Sequence, residues 1–153
     1  FFRLQKEFPE SRWAEFAGQR LSELFDASGL FQKAIALFDQ DRFNEALKLF
    51  LQVRKQAGEK ALGQQAAYFA AVCLFKTKIW HKSSFYFHTL LDDFPGGSYS
   101  AEALYHLGLI SKHLGDNYQA LNYYRKVMDE FSETRWADHS RKAVEELELT
   151  DKP

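Results

Sequence analysis

At 153 residues the chain has room for one ordinary domain or a short repeat array, and 46% hydrophobic with 27% charged residues describes a folded chain rather than a disordered one. A net charge of −1, with no block of like charges and no basic stripe, offers nothing for the phosphate-driven binding of nucleic acid. The single cysteine, Cys73, excludes an internal disulfide and a cysteine-based zinc site, and its apolar setting reads as that of a small buried hydrophobe.

Hydrophobic periodicity predicts helices over 2–7, 11–25, 28–39, 43–57, 61–77, 80–93, 99–114, 117–131 and 134–148. Phe1-Phe2 reads as the inside of a helix. With no initiator Met and no signal peptide in view, the sequence is expected to be a fragment or a processed form. Asp39-Gln40-Asp41-Arg42 and Gly115-Asp116-Asn117 are short polar breaks that suit tight turns between antiparallel helices. Pro95-Gly96-Gly97-Ser98 ends another helix, with Ser98 placed to cap the next. The longest apolar run, Ala66 to Phe75, is about half of what spans a bilayer, so no membrane span is expected.

A repeat organises these helices. Ala46, Ser83 and Ala120 are 37 residues apart, as are Phe50, Phe87 and Tyr124. The preceding helices keep the same offset through Phe31, Tyr68 and Tyr105, and through Ile35, Val72 and Leu109. A second repetition stands outside that period: Phe8–Glu15 reappears as Phe131–Asp138. Asp26-Ala27-Ser28-Gly29 therefore reads as a join. Residues 1–26 would be the tail and capping helix of an upstream array, 27–134 three repeats (27–60, 64–97, 101–134), and 135–153 a C-terminal capping helix. The alternative is that 11–25 and 28–39 form one long helix.

Residues 101–134 resemble the tetratricopeptide repeat (TPR), through Leu104, Leu107-Gly108, Ser111, Ala120 and Tyr124, with Ser132 where Pro is expected. Unit 64–97 follows with Ala67, Ala70-Ala71, Leu74, Ser83, Phe87 and Pro95. Unit 27–60 follows with Leu30, Ala34, Leu37, Ala46 and Phe50, departing at Lys33. The resemblance implies an all-α fold, a right-handed superhelical solenoid of antiparallel helix pairs. Small residues at Ala34, Ala71 and Gly108, and at Ala46, Ser83 and Ala120, let paired helices approach, while Phe50, Phe87 and Tyr124 fill the gap to the neighbouring unit. The Phe-Pro and Phe-Ser spacers resemble the bacterial-envelope, BamD/CpoB-like subgroup of the family, which also includes helical arms of some lytic transglycosylases.

No catalytic constellation stands out: there is no phosphate loop, no His-Glu-x-x-His and no nucleophile elbow. His81 with His88, and His106 with His113, share helix faces by spacing, but a metal site would need further ligands. Asp92-Asp93 and Glu145-Glu146 read as solvated helix ends. No cofactor, metal or enzymatic activity is expected.

The feature that bears on function is a stripe at i, i+4, i+7 on the first helix of each unit: Phe31, Ile35, Phe38; Tyr68, Val72, Phe75; Tyr105, Leu109, Lys112. In the family that the chain resembles, this stripe lines the concave groove. The apolar residues argue against the Lys/Asn clamp that some members use on carboxylate tails, and fit an extended or amphipathic partner segment. Aromatics at these positions can instead pack between units, and the sequence leaves both readings open. The resemblance implies a non-enzymatic scaffold for a protein or peptide partner, in the periplasm or on the periplasmic face of the outer membrane, with the cytoplasm as the alternative compartment. A helical arm of an envelope enzyme whose catalytic domain lies elsewhere is the alternative function, and self-association through the solenoid ends is a further expectation.

Overall fold

The computed structural model describes residues 12–150, with side chains at Arg20 and from Asp26 onward. The described residues form helices α1 (Arg12–Asp39), α2 (Phe43–Ala57), α3 (Ala61–Lys76), α4 (Trp80–Asp93), α5 (Ser100–His113), α6 (Asn117–Glu130) and α7 (Arg135–Thr150). Each packs on its neighbours in sequence, and α1 also reaches α3 while α5 reaches α7. The result is an all-α solenoid in which α1/α2, α3/α4 and α5/α6 are successive pairs and α7 covers the last. The expected helix at 2–7 lies outside the described residues.

Two expectations are corrected. The join at Asp26–Gly29 is helical: α1 runs through it without interruption, so the 26/27 boundary falls inside a helix. No proline breaks the stretch, Gly29 keeps a negative φ, and buried Ala27 helps offset the roughly 1 kcal/mol that a glycine costs inside a helix. Ser98 does not cap α5. Gly97 N–H donates to the Phe94 carbonyl and Ser100 N–H to the Gly97 carbonyl, so this turn carries the chain to Tyr99, which sits at the cap position without a side-chain bond.

The pairs form as their small residues dictate. Ala34, Ala46, Ala71, Ser83 and Ala120 are fully buried, and the Ser83 hydroxyl donates to the Ala71 carbonyl at 2.9 Å, so a polar group is accommodated at a close crossing. Phe50, Phe87 and Tyr124 are also fully buried. The third pair is the tightest at this point, because a Cβ on Gly108 would overlap the Tyr124 ring.

The turns within pairs share one geometry. Asp41, Lys78 and Gly115, at one register of the 37-residue period, have φ of 59°, 61° and 83°. In each, the next residue's N–H reaches back five positions: Arg42 to the Leu37 carbonyl, Ile79 to Leu74, Asp116 to Ser111, at 2.9, 2.9 and 2.8 Å. This six-to-one bond closes a Schellman-type helix end. Only the third turn has the glycine that the left-handed conformation favours, and only there does the following cap residue work as one, Asp116 accepting from Gln119 N–H at 3.0 Å.

Candidate partner-binding site

The repeat extends to ring geometry. Phe69 stacks on Phe50 at 5.2 Å and 15°, and 37 residues on His106 stacks on Phe87 at 5.1 Å and 21°. Phe38 meets Phe69 edge-on at 5.3 Å as Phe75 meets His106 at 5.0 Å. Phe31 lies 6.1 Å from Phe69 as Tyr68 lies 6.3 Å from His106. Phe38 packs on Phe43 at 5.3 Å as Phe75 packs on Trp80 at 5.4 Å. Two copies of one five-ring cluster thus staple each helix pair to the next: Phe31, Phe38, Phe43, Phe50, Phe69, and then Tyr68, Phe75, Trp80, Phe87, His106. Such ring pairs contribute about 0.5–1.5 kcal/mol each beyond area burial.

These clusters decide where most of the sequence-predicted groove residues go. Phe31 (8% exposed) and Val72 (6%) are buried, which removes them from an open wall. Phe38, Tyr68 and Phe75 are half-buried and held edge-on by rings of the neighbouring helices. Ile35 packs half-buried against the α1–α3 core and Leu109 against that of α5–α7. Lys112 is exposed, with its Nζ 4.0 Å from Glu146. The upper part of the stripe is therefore inter-repeat packing.

The third copy of the cluster is lost: its positions hold Tyr105, Lys112, Asn117, Tyr124 and Ala143. Tyr105 keeps the contact of its register, 5.7 Å from the Tyr124 ring, and also faces α7, tilted against Trp136 at 5.3 Å and His139 at 5.9 Å. Tyr105 and Trp136 are half-buried, as Tyr68 and Phe75 are, and His139 is exposed. Beside them the Arg135 guanidinium lies 4.8 Å over the Trp136 ring and 3.7 Å from Glu102. Tyr68 stacks on Tyr99 at 4.4 Å, close to the Glu102 carboxyl. Burial raises the Glu102 carboxyl above its ordinary range against the opposing pull of Tyr68 and Arg135; burial, then Glu102, raises the Tyr68 hydroxyl. Tyr99, Glu102, Arg135, Trp136 and His139 escaped the stripe reading because they lie outside the i, i+4, i+7 trios. The Arg-Trp-Ala motif of the cap was the available signal.

His106 was noted only for its spacing from His113. It sits among Tyr68, Phe75, Phe87 and Trp136, and its Nδ1–H donates to the Glu102 carbonyl at 2.8 Å. Burial pushes its pKa down, so the neutral ring is the packed form. The other histidines are engaged as rings or hydrogen-bond partners where contacts are seen, His113 stacking on Trp80 at 4.5 Å and His88 Nε2 lying 3.1 Å from the Tyr123 hydroxyl. Among the described residues no group of three or more His, Cys, Asp or Glu is placed to hold a metal. Cys73 is buried, and burial pushes its thiol up to about 12. Asp92, Asp93, Glu145 and Glu146 are all exposed.

An array of antiparallel helix pairs, close-packed on small residues and joined by repeating aromatic clusters, is a TPR-like solenoid. The family model described as tetratricopeptide repeat matches residues 101–130, the heart of the third unit, and with the seven helices supports a TPR protein. No curated protein sequence matches the chain. Tetratricopeptide repeats generally mediate protein–protein interactions, and this fold is typically a non-enzymatic scaffold.

Proposed function

We propose that the chain is a scaffold that binds a protein segment at the downstream end of its first-helix face, over Tyr105, Trp136 and His139. The observation that carries this is the missing third aromatic cluster. In its place Tyr105 and Trp136, both half-buried, and exposed His139 lie tilted on one another beside exposed Arg135. Amphipathic aromatics beside an arginine are the residue types that carry binding energy at interfaces. A partner segment covers the ring edges with apolar side chains and takes its orientation from Arg135.

The test separates binding from folding. Tyr105→Ala with Arg135→Ala is expected to weaken partner capture at least about tenfold, each lost anchor costing about 1–2 kcal/mol, with unchanged helical circular dichroism. Tyr68→Ala is expected to lower the melting temperature instead, since Tyr68 belongs to an inter-repeat cluster. A calorimetric titration with the partner in which Tyr105→Ala/Arg135→Ala binds like the parent would remove the site from this face. The spacers after Phe8 and Phe94 favour a place in bacterial envelope assembly or maintenance, which cell fractionation tests directly.

A further inference from the structure

We propose that the turn end of the second and third repeats, with the outer face of α4, is a docking surface for an anionic lipid bilayer. From Lys60 to Leu91 the sequence contains no aspartate or glutamate, while Lys76, Lys78 and Lys82 add positive charge. Lysines interleaved with apolar residues do not read as a basic stripe along the chain; folding is what gathers them. Lys76, Lys78, His81 and Lys82 are all exposed around the turn from α3 to α4. The Trp80–His113 stack, at 4.5 Å and 7°, brings that turn against the turn from α5 to α6, which adds exposed Lys112.

Apolar side chains project from the same surface. Of the five exposed large hydrophobics among the described residues, four are here: Ile79 (45%), Leu114 (45%), Phe85 (65%) and Tyr118 (75%). Ile79 and Leu114 flank helix ends at the two turns. The His88–Tyr123 contact sets α4 beside α6, which places Tyr118 alongside the first turns of α4. Exposed aliphatic and aromatic side chains at the helix ends, interleaved with exposed lysines, match the boundary between lipid headgroups and acyl chains. Nucleic acid would call for arginine forks, and the cations of this surface are lysines.

The acidic groups nearby define the footprint. Asp116 is engaged as the α6 cap, Asp39 and Asp41 stand at the preceding turn, and Glu146 lies against Lys112 from α7. Between these limits the contact is two turns wide. No helix among the described residues is long and apolar enough to cross a membrane, so the attachment is to the surface.

Co-sedimentation of the full chain with vesicles tests this. Vesicles of phosphatidylcholine with a quarter phosphatidylglycerol are expected to bring the protein down, and pure phosphatidylcholine vesicles to leave it in solution. Binding is expected to fall at least about tenfold between roughly 0.05 M and 0.3 M salt. Ile79→Ser with Leu114→Ser, both exposed and expected to keep the helical spectrum, should reduce binding about tenfold, and Lys78→Glu with Lys82→Glu should abolish it. Equal sedimentation with both kinds of vesicle, no sedimentation with either, or binding that ignores all four substitutions would overturn the proposal. So would retention by an acidic protein or by DNA without any uptake by vesicles.

Discussion

Tyr124 and Ser140 show how the repeat reads its own exceptions. Their hydroxyls are buried without a hydrogen-bond partner, an arrangement that costs about 1–3 kcal/mol per group. At the Tyr124 register the earlier units carry Phe50 and Phe87; at the Ser140 register they carry Ala66 and Ala103. Tyr124→Phe and Ser140→Ala are therefore expected to stabilise the fold by about 1 kcal/mol each, read from urea denaturation. Gly108→Ala is expected to destabilise by about 1–3 kcal/mol, because the new methyl meets the Tyr124 ring. His106 makes a pH-dependent contribution. Its folded pKa is depressed, so the unfolded chain takes up the proton first, and this part of the stability is lost as pH falls below about 6.5 toward the folded value. His106→Phe, which reproduces Phe69, is expected to flatten the thermal stability profile between about pH 7 and 5. Glu102, with its raised pKa, works in the opposite direction.

At the scale of the element, the turns within pairs are the readable feature and their quality is uneven. Lys78 holds a left-handed φ of 61° without being glycine, and Ile79 stands at a cap position where Asp116 serves its own helix. Lys78→Gly is expected to raise stability by up to about 1 kcal/mol, and the melting temperature accordingly. Helix boundaries from α2 to α7 were legible in the sequence to within two residues, because Gly, Asp and Pro punctuate a regular 37-residue period. The stretch near Gly29 allowed two readings, a join or one long helix, and α1 is the second: a glycine and two polar residues look like a break, but nothing in them forbids a helix. Phe69 and His106 were in register with each other, and with Phe50 and Phe87, yet only the neighbouring positions were read as a functional stripe. Periodicity gives a residue's face; whether that face is covered depends on the distance to the next unit, and side-chain spacing does not report it.

For the whole molecule, a net charge near zero concealed an uneven distribution. The turn end of the middle repeats is basic, while Asp92, Asp93, Asp129, Glu130 and Glu133 gather at the opposite ends of the pairs. The first-helix face and the basic turn end are separate surfaces, so Tyr105→Ala/Arg135→Ala and Lys78→Glu/Lys82→Glu should change different measurements. The two five-ring clusters carry one more consequence. Because the face that unit two offers to unit three has the same form as the face it receives from unit one, residues 62–98 are interchangeable with themselves. Duplicating that segment in place should give a chain one helix pair longer, with a third cluster formed between the copies: Phe87 of the first against Phe69 of the second. A cooperative melt at or above the parent's temperature, with added helicity in proportion to length, is the expected result. The same insertion after Phe131 would meet only two of the four receiving rings, Tyr105 and Tyr124, with Lys112 and Asn117 at the other positions, so a less stable junction is expected at the downstream end.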